Sequence, residues 1–202
     1  MRNFIATKGN LQAAKRGRVL ARAGFSLMDK KQSVLSQELL SQVERAKGLQ
    51  GQMEDAFSAA YSALQRANVS LGHCERWAEA IEEDISLSLR WRGVMGLELP
   101  ILAGGGGRAA LLPYGFTGSD STLDEALVHF TSAKTLVREM AEVENTIYRL
   151  AYALRKTRKR ARALAGIVIP RFDASIGRME EVLAQREQEE FVRKKIAKMK
   201  MQ

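Results

Sequence analysis

Two apolar stripes with helical spacing decide most of what this chain can become. Leu35, Leu39, Val43, Ala46, Leu49, Met53, Ala56, Ala60, Leu64 and Ala67 recur at about 3.5 residues per step, which puts them on one face of a helix roughly nine turns long. A second stripe keeps that step through Phe130, Ala133, Val137, Met140, Val143, Ile147, Leu150, Leu154, Thr157, Ala161, Leu164, Val168, Phe172, Ile176, Met179 and Leu183, the pattern of a coiled-coil seam. Residues 10–34 extend the first helix toward the N-terminus, although Gly9, Gly17 and Gly24 each weaken it by about 1 kcal/mol relative to Ala. A lone helix of this length cannot hide its apolar face, so the first and last thirds are expected to pair antiparallel. The fold class expected is dominated by α-structure: a long antiparallel two-helix coiled coil of N- and C-terminal helices, with a small middle head containing short helices and a β-hairpin.

Composition supports this reading. Three prolines in 202 residues and 6% aromatics disfavour an all-β chain, while 46% hydrophobic and 27% charged residues lie away from the disordered regime. Three segments are expected: an N-terminal coiled-coil arm at 1–70, a middle head with β-hairpin and Gly-rich loop at 71–122, and a C-terminal coiled-coil arm at 123–202. Residues 85–92 alternate apolar and polar side chains, and residues 94–102, with Gly96 and Pro100, are the expected partner strand. Ser119, Asp120, Ser121 and Thr122, followed by Asp124 and Glu125, supply capping and first-turn acidic groups for the second long helix. Pro170, inside the second stripe, predicts a bend.

Several kinds of chemistry are disfavoured. A single cysteine, Cys74, forms no internal disulfide, the N-terminal residues lack the apolar stretch of a signal peptide, and the longest apolar run is too short to span a bilayer. Gly104, Gly106 and Ala109 match G-x-G-x-x-A, yet Pro113 and Gly115 interrupt the helix that should follow and no βαβ alternation surrounds them. The lysine of a P-loop is missing, so no nucleotide cofactor is expected. Cys74 beside His73 and Glu75 does not converge as a nucleophile and base would, and two histidines with one cysteine do not build a zinc site. The acidic runs at 82–84 and 187–190 are expected to be solvated helix faces. Catalytic and metal-binding residues are therefore expected to be none.

Charge is the sharpest remaining feature. The net charge is +9, and residues 145–171 carry Arg149, Arg155, Lys156, Arg158, Lys159, Arg160, Arg162 and Arg171 with no acidic residue. Residues 1–31 add eight cations against Asp29 alone. Basic helices beside heptads suit a nucleic-acid-binding or scaffold coiled coil, the alternative reading. Against it, the basic block lies within the seam, whereas a DNA-reading helix must leave its partner to enter the groove. A positive shaft facing an acidic protein cavity accommodates both features.

Both arms resemble one known family. Thr7-Lys8-Gly9-Asn10-Leu11, Lys15, Ala23-Gly24, Leu27-Met28 and Lys30-Lys31 look like the opening of the D subunit of the V-type and archaeal A-type rotary ATPases. The closing arm is similar to that protein's C-terminal signature through Leu154-Arg155-Lys156-Thr157-Arg158-Lys159-Arg160-Ala161-Arg162, Ile167-Val168-Ile169-Pro170-Arg171, Glu180-Glu181-Val182-Leu183 and Glu190-Phe191-Val192-Arg193. Residues 94–100, Tyr114-Gly115 and Leu123-Asp124-Glu125-Ala126 resemble its hairpin and helix restart.

The resemblance implies a non-catalytic central rotor shaft that transmits torque between a catalytic hexamer and a membrane ion-translocating rotor. The implied partners are the catalytic and regulatory large subunits of the ATPase head, the small central-stalk F subunit and the rotor socket subunit on the membrane ring. Neither nucleic acid nor a small-molecule ligand is implied. The implied location is cytoplasmic, peripheral to the inner face of the plasma membrane. On this basis Lys8, Arg18, Arg22, Lys30, Lys31, Arg171, Arg186 and Arg193 are candidate contacts to the catalytic head. Arg149, Arg155, Tyr148, Glu142 and Trp91 are candidate contacts to the stalk partners.

Overall fold

The computed structural model describes residues 5–79, 86–104, 114–115 and 117–200. Helix α1 runs Lys8–Leu71, 64 residues, and a short α2 covers Glu75–Ala78. Strands β1 (Ser88–Val94) and β2 (Leu97–Ala103) form an antiparallel hairpin. Helix α3 spans Ser121–Ala163, one π-helical turn covers Leu164–Val168, and α4 runs Ile169–Lys200. The helix-dominated fold with a mid-chain hairpin agrees with the sequence pattern. The chain divides into two compact units, Met1–Val34 with Leu154–Gln202, and Leu35–Ala153.

In the unit Leu35–Ala153, the second half of α1 lies antiparallel to α3. Arg45 faces Glu139 at 3.9 Å, Arg66 faces Glu125 at 2.7 Å, and Ser70 donates to Asp120 at 2.8 Å. The seam is thin and rich in alanine: Ala60, Ala63, Ala67, Ala126 and Ala133 are buried with Leu35, Leu49, Val143 and Leu150. Small side chains let two helix backbones approach closely, while the larger Leu and Val fill the wider layers. Every member of the first stripe is buried or half-buried, as its spacing predicts. Val137 departs from the second stripe, being 41% exposed, and its neighbour Leu136 turns inward instead. A 3.5-residue repeat drifts on a 3.6-residue helix, and here the drift moves the inward position by one residue.

The hairpin turn lies two residues later than the sequence pattern suggests. Val94 pairs with Leu97 across Met95 and Gly96, whose φ angles are 50° and 74°. A two-residue turn of this kind needs positive φ at both central positions, which glycine provides without strain. The expected first strand residue, Ile85, and the glycines at 105–107 lie outside the described residues. Helix α1 closes where Gly72 N–H returns to the Asn68 carbonyl at 3.0 Å, the single-bond glycine stop.

In the unit Met1–Val34 with Leu154–Gln202, the first part of α1 lies antiparallel to the end of α3 and to α4. Ala14, Ala21, Leu154, Thr157, Ala161, Ile176 and Met179 are buried. Immediately before Pro170, where a bend is expected, the chain makes a π turn in which the Ile169 N–H reaches back five residues to the Leu164 carbonyl. Two causes converge. Proline offers no N–H and its ring would collide with the carbonyl four residues earlier, that of Gly166. The seam also advances by four residues three times running, from Leu164 to Val168, Phe172 and Ile176, which over-rotates an α-helical stripe. A wider π turn absorbs the excess and returns Ile176 and Met179 to the core.

Candidate interaction surfaces

The hairpin is fastened to α3 through the outer edge of β2. With Val94 and Leu97 as the pair that closes the turn, Glu98, Pro100 and Leu102 direct their backbone polar groups away from β1. Helix α3 meets that edge with two side chains seven residues apart. Glu142 accepts the Leu102 N–H at 2.9 Å, and Arg149 donates to the Glu98 carbonyl at 3.1 Å. Pro100 sits between them, where no N–H need be satisfied. Arg138 extends the row by donating to the Gly104 carbonyl. A Cβ at Gly104 would run into the Ser86 carbonyl, so the first glycine of the run allows the backbone to pass closely there.

The Arg149 guanidinium also lies over the Trp91 ring, 4.7 Å from its centroid, and Arg92 of β1 reaches Glu38 of α1 at 3.1 Å. Three of the five candidate stalk-partner residues, Trp91, Glu142 and Arg149, are thus gathered at one contact. Tyr148, beside them on α3, stays 73% exposed. Arg155 is exposed and belongs to the other unit. Leu87, Leu89 and Trp91 of the hairpin's outer strand region remain half-exposed, whereas Leu99 and Pro100 of β2 are buried.

In the unit holding both termini, charged pairs fix the axial register of α1 against α4. Lys8 meets Glu187 at 2.9 Å and Lys15 meets Glu180 at 2.7 Å. Arg18 and Arg22 share the Asp173 carboxylate at 3.1 and 3.7 Å. The hydrogen bond to Glu187, and then its charge, raise the Lys8 pKa, and the same pair lowers that of Glu187. Arg186 donates to the Ala6 carbonyl at 3.0 Å. Exposed pairs add little to stability singly, but several in one register disfavour sliding.

Four candidate head contacts, Lys8, Arg18, Arg22 and Arg186, therefore already bind within this unit. Arg193 pairs along its own helix with Glu189 at 3.9 Å. Lys30 and Arg171 are exposed, and Lys31 is half-buried. Asp173 and Glu180 were not singled out by the sequence pattern as partners. Their signal was spacing, since Lys8 and Lys15 stand seven residues apart, as do Glu180 and Glu187.

Where α1 ends and α3 begins, Ala67, Cys74, Tyr114 and Leu123 form a small core. Cys74 is buried in it, and its N–H donates to the Asn68 side chain at 3.3 Å. Tyr114 donates to Asp124 at 2.7 Å, and burial together with that bond pushes its pKa up. Asp120 accepts the Ser121 N–H at 2.7 Å and the Ser70 hydroxyl, which lower its pKa, the Ser70 bond most. Among the described residues no helix is long and apolar enough to cross a membrane, and no cluster of three or more His, Cys, Asp or Glu could hold a metal ion.

The family model for the ATP synthase D subunit matches residues 10–199. The V-type ATP synthase D subunit of Thermotoga neapolitana is 36% identical over 197 residues, covering 96% of this chain and 97% of that one. The A-type ATP synthase D subunit of Methanopyrus kandleri is 36% identical over 185 residues, covering 89% and 78%. That of Thermococcus kodakarensis is 30% identical over 200 residues, covering 97% and 94%. A match of this extent establishes that the chain belongs to the ATP synthase D-subunit family and is a subunit of a V/A-type ATP synthase.

Proposed function

We propose that this chain is the central rotor shaft of its complex, a non-catalytic part that carries torque between the catalytic hexamer and the membrane ion-translocating rotor. The observation that supports this most is the registered antiparallel pairing of α1 with α4, held by Lys8–Glu187, Lys15–Glu180 and Asp173 with its two arginines. Interdigitated side chains and spaced ion pairs resist axial sliding, which a helix pair under torsion must do. The large catalytic and regulatory subunits surround the arms, while the small F subunit and the rotor socket meet the middle of the chain. The working location is the cytoplasmic side of the membrane, peripheral to it.

A reversible cross-link tests this directly. A cysteine at exposed Val192 is oxidised to a cysteine introduced in a large head subunit of the purified complex, and ATP hydrolysis is followed before and after reduction. Arrest on oxidation with recovery on reduction supports rotation of the chain within the head. Full hydrolysis with the cross-link in place overturns it.

A further inference from the structure

The two strands of the hairpin have opposite surroundings. The outer edge of β2 is taken by Glu142 and Arg149 of α3, and Pro100 between them has no N–H to offer. Strand β1 is exposed from Ser88 to Gly93. Because Val94 and Leu97 close a two-residue turn, Leu89, Trp91 and Gly93 direct their N–H and C=O groups away from β2. Among the described residues no hydrogen bond reaches those groups.

The side chains of β1 divide by face. Leu89 and Trp91 stand on one face, half-exposed, with the Arg149 guanidinium 4.7 Å from the Trp91 ring centroid. Arg90 and Arg92 stand on the other. Glu38 engages Arg92 at 3.1 Å, whereas Arg90 has no ion pair among the described residues, and β1 carries no acidic residue.

We infer that the free edge of β1 is a strand-acceptor site, to which an extended acidic segment of a neighbouring subunit of the complex adds as a third strand. The incoming strand sets apolar side chains beside Leu89 and Trp91 and a carboxylate beside Arg90. The inference requires that the chain belongs to the complex, not that it turns. A two-stranded hairpin is marginal in water, and a third strand with an apolar face is the usual remedy. Edges that must stay single are guarded by proline or by a covering element. Strand β2 has both guards and β1 has neither. A helix resting on Leu89 and Trp91 would leave the outward backbone groups to water, whereas an added strand bonds them directly.

Arg90 makes the edge selective. A second copy pairing β1 antiparallel with β1, in the registers of greatest overlap, sets Arg90 or Arg92 opposite another arginine, and like charges directly opposite destabilise a sheet. A segment with a carboxylate at that position gains instead.

The test reads residue-resolved amide hydrogen exchange in the isolated full chain and in the purified complex. The expected result is slowing of about a hundredfold at Leu89, Trp91 and Gly93 on assembly, while Arg90 and Arg92, already bonded within the hairpin, slow far less. Leu89→Pro removes one outward N–H and spares the ladder, as Pro100 does on β2. In its complex Trp91 and Gly93 should exchange about tenfold or more faster than in the parent complex. Arg90→Glu should do the same without altering the backbone, and it decides the matter should Leu89→Pro disturb the Arg90 and Arg92 amides. With Arg90→Lys, a zero-length carbodiimide should couple position 90 to a carboxylate of one neighbouring subunit, within an extended segment that has apolar flanking residues.

Equal exchange at the three amides in the isolated chain and in the complex overturns the acceptor edge. Slowing that survives both Leu89→Pro and Arg90→Glu also overturns it, and assigns the protection to a partner lying across the apolar face. Slowing in the isolated chain that grows with its concentration overturns it in favour of a second copy. Each of these leaves the shaft reading standing, because the cross-link at Val192 tests rotation independently of the hairpin.

Discussion

The ring of Phe172 occupies the space that a side chain at Gly17 would fill: a Cβ there would stand 2.9 Å from ring atoms Cε1 and Cζ. Gly17 is therefore a hole in α1 that receives a knob from α4, one residue from Arg18 and Asp173, which pair at 3.1 Å. Gly17→Ala gains about 1 kcal/mol of helix propensity but loses about 1–3 kcal/mol by overpacking, for a net loss of roughly 1 kcal/mol. Gly48→Ala is the control. Nothing lies within 4 Å of a Cβ at Gly48, so that change should stabilise by about 1 kcal/mol. Thermal unfolding of the two variants should move in opposite directions, and a rise for Gly17→Ala would remove the knob-and-hole account.

The hairpin clip predicts a selective loosening. Removing the Glu142 carboxylate with Glu142→Ala leaves the Leu102 N–H, now bonded at 2.9 Å, without its acceptor. Amide exchange at Leu102 should accelerate about tenfold or more, while Arg90 and Arg92, inside the β1–β2 ladder, change far less. Arg149→Ala removes both the Glu98 bond and the cation over Trp91. In a Trp77→Phe background its signature is a shift in Trp91 fluorescence with a stability loss of about 1 kcal/mol. An unchanged Leu102 exchange rate would mean that Glu142 does not hold the edge.

How much was legible follows from which signals are local. The stripes named the seam because burial of one helix face imposes a period, and Leu35, Leu150, Ile176 and Met179 lie where that period puts them. Pairwise docking was less legible. Glu142 and Arg149 are two charged residues among many in the sequence, and their role depends on which β2 groups the hairpin register turns outward. That register hinges on Met95 and Gly96, and a turn displaced by a single residue would have presented the opposite set of backbone groups. Likewise Lys8, Arg18 and Arg22 read as excess positive charge until the antiparallel partner supplies Glu187 and Asp173. The basic block at 155–162 was visible in the sequence, but that all six of its cations stand exposed required the fold.

The junction between α1 and α3 carries an acid-sensitive element. Asp120 is held below the ordinary carboxylate pKa by the Ser70 hydroxyl and the Ser121 N–H. Its ionised form therefore favours the folded state. That contribution is complete above the unfolded pKa and is lost as pH falls through the lower folded value. Asp120→Asn should flatten the acid side of the stability profile between those two values and leave the neutral-to-alkaline side parallel to the parent. Melting curves collected from about pH 6 down to about pH 3 for the parent and variant measure it; parallel profiles throughout would show that Asp120 does not contribute to the acid response.

The π turn makes the most specific demand on the chain, because one of its residues is surplus to the α-helical path. Ala165 is exposed within it, and the Ile169 N–H skips to the Leu164 carbonyl five positions back. Deleting Ala165 in a Pro170→Ala background should let α3 run into α4 as one α-helix, since the missing N–H is restored and the ring collision is gone. The shortened step also cancels the over-rotation of the seam, so Phe172, Ile176 and Met179 keep their inward direction and Lys15 still reaches Glu180. Unfolding free energy should then lie within about 1.5 kcal/mol of the parent. Deleting Ala174 instead, beyond the π turn, shifts Ile176 and Met179 by about 100° around the helix. These two side chains are only 4% and 3% exposed, so that deletion should cost several kcal/mol. If the two deletions prove equally damaging, the π turn is not a phase correction, and Pro170 alone accounts for it.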